Sequence, residues 1–138
     1  MTLYDPAFVT LAGSRRGAGT LDGPAISVRK SNPLCGDQIE LDVRLDGERI
    51  RNVAHRTKGC AITKVSAALL AELAPGMEAD GARSLTTALE AGLAHRGLLP
   101  ESLQALAEVR LLPSRRRCAL LPWSALLEAL GPSGTEAQ

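Results

Sequence analysis

Residues 38–47, QIELDVRLDG, alternate polar and apolar side chains and end in an Asp-Gly pair. Alternation with a period of two is typical of a β-strand with one buried face. Asp46-Gly47 is a strong signal for a hairpin turn, because both residues tolerate positive φ. The stretch therefore predicts the first strand of a β-hairpin whose apolar face needs a cover.

Two further strands are predicted to complete a small sheet. The return strand runs over about 48–56, and its apolar residues Ile50 and Val53 are three positions apart, which predicts a β-bulge between them. Residues 25–29 form a short alternating strand upstream. The sequence thus predicts a three-stranded antiparallel sheet.

Helical periodicity downstream supplies the cover for this sheet. Helices are predicted over residues 2–13, 61–74, 84–93 and 101–109, with a last helix between Pro113-Ser114 and Gly131-Pro132. The fold class is therefore α+β, a small antiparallel sheet packed against several helices. We expect one domain over 1–138, with an N-terminal helix or arm at 1–13 and a frayed tail at 132–138.

The bulk composition argues against several classes of protein. The 138-residue chain has a net charge of +1 and only one Trp, one Tyr and one Phe, so a nucleic-acid partner is not expected. The N-terminal residues do not resemble a signal peptide, and no apolar run approaches the length of a membrane span. We expect a cytoplasmic protein without a membrane partner, whose thiols stay reduced.

Three cysteines and one aspartate are the candidate site residues. Cys35 and Asp37 lie in a Pro/Gly-bent loop that enters a strand, and Cys60 and Cys118 each lie near the start of a predicted helix. Three thiolates and one carboxylate are enough to fill a tetrahedral metal site or to hold a small iron–sulfur cluster. The residues alone leave two alternatives open: cysteines that are simply small core residues, and an inert structural zinc site.

The surroundings of two cysteines predict a lowered thiol pKa. Cys60 precedes an amphipathic helix, whose N-terminus favours negative charge, and Cys118 follows three consecutive arginines. A lowered pKa gives more thiolate, which is both the metal ligand and the sulfur nucleophile.

Motifs around these residues resemble those of a known family. They are Asn32-Pro33-x-Cys35-Gly36-Asp37, then Gly59-Cys60-Ala61-Ile62, and Cys118-Ala119…Trp123 near the end. The chain resembles the IscU/SufU/NifU N-terminal iron–sulfur cluster assembly scaffolds, most closely the SufU branch. The resemblance implies an α+β fold in which the three cysteines and Asp37 converge at one end of the molecule.

The resemblance also implies a function, a cofactor and partners. It implies an assembly protein that binds iron or a labile iron–sulfur cluster and accepts sulfur from a cysteine desulfurase before serving recipient apoproteins. The alternative is a zinc-dependent sulfurtransferase that relays persulfide sulfur, with zinc held by Cys35, Asp37, Cys60 and Cys118. All three cysteines are candidate sulfur acceptors, and the choice between zinc and a cluster stays open.

Three residues near the predicted ligands depart from the family pattern. Thr57 replaces a glycine shortly before the second cysteine, and Arg117 stands where the IscU branch has histidine. Pro122 cannot donate the helical hydrogen bond to the Cys118 carbonyl. We therefore expect the last helix either to kink at the third cysteine or to restart with Pro122 in its first turn.

Overall fold

The computed structural model describes residues 6–132, so parts of the predicted N-terminal arm and C-terminal tail lie outside the described residues. In chain order the elements are α1 (Pro6–Ala12), β1 (Ile26–Asn32), β2 (Asp37–Asp46), β3 (Arg49–Lys58), α2 (Ala61–Leu73), α3 (Ala79–Leu93), two 3₁₀ segments (Glu101–Leu111 and Pro113–Arg115) and α4 (Arg116–Leu130). The strands pair antiparallel in the order β1-β2-β3. This arrangement confirms the predicted α+β class and its three-stranded sheet.

The predicted bulge lies on β3. Arg44 pairs with Asn52, whereas the next residue, Leu45, pairs with Ile50, so Arg51 is the extra residue on β3. An extra residue shifts the alternation of a strand by one position. The three-residue spacing of Ile50 and Val53 in the sequence therefore predicted the β-bulge correctly.

The inner face of the sheet packs on two helices. Ile39, Leu41 and Val43 of β2 are fully buried, and α4 contacts β1 and β2 while α2 contacts β3 and α4. Trp123 of α4 is also fully buried. Apolar burial of this kind is the main favourable contribution to folding, and it fixes the ends of α2 and α4 relative to the sheet.

Two helical segments differ from the sequence prediction. α3 begins at Ala79, five residues before the predicted start at 84, where Asp80 in its first turn forms an ion pair with Arg83 at 2.6 Å. The segment predicted as a helix over 101–109 is 3₁₀. Its buried residues Leu103, Leu106 and Val109 recur every three positions, a spacing that suits three residues per turn.

Of the two alternatives expected for the last helix, a kink at the third cysteine or a restart at Pro122, the restart is excluded. α4 is a single helix from Arg116 to Leu130, and Pro122 is its seventh residue. The Cys118 carbonyl therefore lacks its usual helical donor. The turn of α4 that contains Cys118 and Ala119 is hydrogen-bonded to α2, since the buried Ser66 hydroxyl donates to the Ala119 carbonyl at 2.5 Å.

Candidate metal centre

The turn between β1 and β2 presents the first cysteine. The Asn32 side-chain Oδ1 accepts the Leu34 N–H at 3.1 Å, and the Asn32 carbonyl accepts the N–H groups of Cys35 (3.2 Å) and Gly36 (2.8 Å). Gly36 has a φ of 76°, which glycine adopts without steric cost. The turn leaves Cys35 exposed and makes Asp37 the first, buried residue of β2.

Asp37 caps α2 from the neighbouring strand. Cys60 is the N-cap residue of α2, but its side chain makes no capping hydrogen bond. Asp37 Oδ1 instead accepts the Cys60 N–H at 3.2 Å, and Asp37 Oδ2 accepts the hydroxyl of the fully buried Thr63 at 2.5 Å. A carboxylate therefore satisfies the helix N-terminus and is held in place by it.

The four predicted site residues come together at one end of the sheet. Cys118, the third residue of α4, places its Sγ 3.6 Å from Cys35 Sγ. The ligand atoms of Cys35, Asp37 and Cys118 all lie within 4.8 Å of one another. Cys60 is not part of that mutually close group, but its Sγ lies 3.4 Å from Asp37 Oδ2.

Burial separates the three thiols. Cys35 is exposed, Cys60 is intermediate and Cys118 is buried among core residues. The site is therefore open to solvent on the Cys35 side and closed on the Cys118 side. A cavity of about 670 Å³ adjoins Cys35, and Pro113, Arg115 and Arg117 also line it.

The predicted lowering of the Cys118 pKa is wrong. Burial, the hydrogen bond with Cys35 and the electrostatic effect of Cys60 together raise the pKa of Cys118 to about 12. The helix N-terminus and the preceding arginines do not lower the pKa of Cys118 enough to offset the effect of its burial. Cys118 is therefore protonated in the metal-free chain at neutral pH.

The pKa values of Asp37 and Arg115 are shifted in opposite directions by their surroundings in this cluster. Burial raises the pKa of Asp37, but hydrogen bonds from Thr63 and the cysteine side chains lower it more, so the net pKa lies below its ordinary value. A hydrogen bond to Cys118 and the electrostatic attraction of the neighbouring cysteine side chains raise the pKa of Arg115. The site thus combines an ionised carboxylate with an adjacent guanidinium.

Sequence reasoning missed Thr63 and treated Arg115 only as one of three arginines. Thr63 follows Cys60 by three residues on the same helix, a spacing that places both on one face of the first turn. That spacing was the available signal. Nothing in the sequence distinguishes Arg115 from its two neighbours, because only the 3₁₀ turn before α4 directs it toward the thiols.

His55 has a role in the sheet and lies outside the cluster of thiols. Its Nε2 lies 2.9 Å from the Arg16 carbonyl, and its Nδ1 lies 2.9 Å from Thr57 Oγ1. Burial lowers the pKa of His55, although its bond to the Arg16 carbonyl opposes that effect. The imidazole is therefore a neutral group that fastens the loop before β1 to β3.

Fold and site together define a class of small α+β protein that holds three thiols and one carboxylate at the end of an antiparallel sheet. The sequence model described as the NifU-like N terminal domain matches residues 13–131, and the chain belongs to this family.

Comparison with individual proteins also places the chain among relatives of this family. The chain is 29% identical over 129 residues to the zinc-dependent sulfurtransferase SufU of Bacillus subtilis (strain 168), covering 91% of this chain and 87% of the relative. It is 31% identical over 118 residues to the iron–sulfur cluster assembly scaffold protein IscU of Streptococcus pyogenes serotype M1, covering 81% and 72%. The crystal structure of FiSufU from Fervidobacterium islandicum AW-1 superposes with a TM-score of 0.88 at 23% identity, covering 94% of this chain and 97% of that one, and this likeness shows the fold.

Within residues 6–132, no helix combines the length and the hydrophobicity that crossing a bilayer requires.

Proposed function

We propose that this protein is an iron–sulfur cluster assembly scaffold of the cytoplasm, with Cys35, Asp37, Cys60 and Cys118 as the ligands of its cargo. The observation that carries the proposal is the convergence of Cys35, Asp37 and Cys118 ligand atoms within 4.8 Å of one another. We include Cys60 in the ligand set because its Sγ contacts Asp37 Oδ2. Its relatives named IscU support the same function.

The donor set suits a cargo that is later released. Thiolates are the preferred protein ligands of iron–sulfur clusters, and a carboxylate oxygen is a harder and weaker partner for such a cluster. Cys35 and the adjoining cavity leave one side of the site accessible. A cluster held by three thiolates and Asp37 is therefore bound less firmly than one held by four thiolates.

Cys35 is the thiol best placed to accept sulfur. It is the exposed member of the three, so a persulfide on a partner protein reaches it without movement of the fold. The Cys35 thiolate would attack the outer sulfur of the donor persulfide, whose S–S bond breaks, and the donor leaves as a thiolate. The partners in this proposal are a cysteine desulfurase as the donor and apoproteins as cluster recipients.

Anaerobic reconstitution tests the scaffold function. The protein is incubated with ferrous iron, cysteine and a cysteine desulfurase, and the visible absorption of a bound cluster is recorded together with acid-labile sulfide. We expect a chromophore that Cys60→Ala and Asp37→Asn both weaken. Asp42→Asn is the matched control, because Asp42 is also a buried carboxylate on β2 but contacts Ser27 and Arg56 instead of the thiols. A colourless wild-type protein under these conditions contradicts the proposal.

A zinc-dependent sulfurtransferase is the second candidate. It is favoured by the relative that carries this name and by Arg117 in the position of a histidine in the IscU branch. The same four residues would hold the zinc, which fits their chemistry of thiolates and one carboxylate. When bound, zinc supplies positive charge that keeps thiols ionised, and the buried Cys118 needs such a charge because its own pKa is about 12.

Metal content separates the two candidates. Protein purified anaerobically without added metal is analysed for zinc, iron and acid-labile sulfide. One zinc per chain without sulfide, together with faster desulfurase turnover, favours sulfur transfer. Iron with sulfide favours the scaffold. If Asp37→Ala and Cys118→Ala leave the stimulation of the desulfurase intact, the sulfurtransferase is contradicted.

A further inference from the structure

A second concave surface borders β3. It is a groove of about 660 Å³ between the loop after α1, the ends of β2 and β3, and the first turn of α2. We call it the basic groove; its charged lining residues are Arg15, Arg29, Arg56, Lys58, Lys64 and Glu40. Five cations and one carboxylate in one groove contrast with a net charge of +1 for the whole chain.

Three of these cations have no counter-charge among residues 6–132. Arg29 and Arg56 form ion pairs with Glu40, and Arg56 also binds Asp42. Arg15, Lys58 and Lys64 are exposed and form no ion pair with any residue in the described range 6–132. The basic groove therefore carries a local positive field that favours a negatively charged ligand.

The outer edge of β3 is only partly covered. The loop after α1 pairs with this edge at His55, whose N–H donates to the Gly17 carbonyl (2.8 Å) and whose carbonyl accepts the Gly19 N–H (2.9 Å). The pairing ends there because the Gly19 carbonyl accepts from Arg56 Nη1 at 2.8 Å instead of continuing along the strand.

Thr57 is the next residue of β3 whose backbone faces this open edge. Backbone groups of successive strand residues point to opposite edges, so Thr57, two residues after His55, directs its N–H and carbonyl outward. Within residues 6–132, neither group forms a backbone hydrogen bond outside the pairing of β2 with β3. Thr57 is half-buried and lines the basic groove beside Lys58, so a free strand edge and unpaired cations occupy the same place.

We propose that the basic groove binds an extended, acidic peptide segment of a partner protein, which adds to the β3 edge at Thr57. Backbone hydrogen bonds to an open edge give affinity in strand addition, and side chains alternating along the added strand give selectivity. Carboxylates of the added segment would meet Lys58 and Lys64, which flank Cys60 in sequence. Binding of such a segment requires neither a metal nor sulfur transfer.

An extended peptide fits this surface better than a small anion does. A small anion would need the cations to converge on one point, whereas they are spread over the loop after α1, β1, β3 and α2. A small anion also leaves the outward N–H and carbonyl of Thr57 unmatched, because both a donor and an acceptor are present there. A peptide backbone supplies both partners at the required spacing.

Binding is measured with a blocked peptide of about seven residues that alternates Glu and Val, a length typical of a strand. Fluorescence anisotropy gives its dissociation constant, and amide hydrogen exchange reports the Thr57 N–H. We expect binding that weakens as salt rises, and slower exchange at Thr57. The matching Lys/Val peptide should not bind.

Two pairs of variants separate charge from strand addition. Lys58→Glu with Lys64→Glu should weaken binding roughly tenfold or more, because two attractions become repulsions. Arg51→Glu with Arg96→Glu makes the same charge change at exposed residues outside the basic groove, and should leave binding unchanged. Thr57→Pro removes the outward N–H, whereas Thr57→Val keeps it; binding should be lost only in the first.

Several outcomes would overturn the proposal. Equal binding by folded Thr57→Pro, equal effects of the two charge-reversal pairs, or binding without slower exchange at Thr57 each excludes strand addition in the basic groove. Displacement of the peptide by inorganic triphosphate at similar concentration would identify a general anion site instead. If Thr57→Pro does not fold, the exchange of the Thr57 N–H in the wild type decides alone.

Discussion

The backbone of Gly59 lies directly against the carboxylate of Asp37. A Cβ on residue 59 would be 2.5 Å from Asp37 Oδ1 and 2.6 Å from its Cγ, and Gly59 has a φ of 157°. The Gly-Cys pair before α2 is therefore a packing requirement. Only a residue without a side chain lets Asp37 reach the Cys60 N–H.

Gly59→Ala should displace the Asp37 carboxylate and weaken metal binding at the proposed site. Such close contacts cost about 1–3 kcal/mol when the neighbour has to move, and here the neighbour is a predicted ligand. We expect a lower melting temperature and a zinc affinity reduced by roughly tenfold or more, measured by competition with a chromogenic chelator. Gly47→Ala is the control: Gly47 also has positive φ, but a Cβ there meets nothing within 4 Å. Equal zinc affinity in the two variants would contradict this account.

Thr63→Val should destabilise the protein at neutral pH. The two side chains have similar shape, but valine leaves the buried Asp37 Oδ2 without its hydroxyl donor, and the thiol of Cys60, 3.4 Å from that oxygen, is only a weak donor. Loss of a hydrogen-bond donor to a buried acceptor costs about 1–3 kcal/mol, measured here as the free energy of unfolding in urea. Thr86→Val is a matched control, because the buried Thr86 hydroxyl donates only to the Ala82 carbonyl of its own helix. If Thr86→Val lowers the free energy of unfolding as much as Thr63→Val does, the effect comes from replacing any buried threonine and not from the contact with Asp37.

The sequence predicted the sheet well because its signals are local. Alternation over 38–45, the Asp-Gly pair and the three-residue spacing on β3 each describe neighbouring residues, and the structure confirms all three. The protonation state of Cys118 was predicted wrongly because it depends on burial between α4 and the sheet. A sequence shows the three arginines before Cys118, but not how much water the fold removes from its thiol.

His55 should make stability fall as the pH drops below 6.5. Burial lowers its pKa from the ordinary 6.5, so the unfolded chain takes up a proton before the folded protein does. The contribution of the neutral imidazole is full above 6.5 and is lost as the pH falls from there toward the folded pKa. Urea unfolding between about pH 7.5 and 5.5 measures this slope, in a range above most carboxyl titrations.

His55→Gln should flatten that slope, since its amide can donate to the Arg16 carbonyl but does not titrate. An unchanged slope in His55→Gln would show that another group causes the acid sensitivity.

Pro122→Ala should stabilise α4 despite lying in the core. Proline inside a helix costs about 3 kcal/mol relative to alanine, and the alanine N–H can donate to the Cys118 carbonyl. The substitution also removes two buried methylene groups, which costs about 0.8 kcal/mol each. This loss is smaller than the gain from removing a proline inside a helix. We expect a net gain of about 1 kcal/mol in the free energy of unfolding of the metal-free protein. Pro113→Ala, in the exposed 3₁₀ turn before α4, should give no comparable gain, because Pro113 starts its turn and blocks no helical bond. A Pro122→Ala protein less stable than the wild type would mean that the packing of the proline ring outweighs its missing N–H.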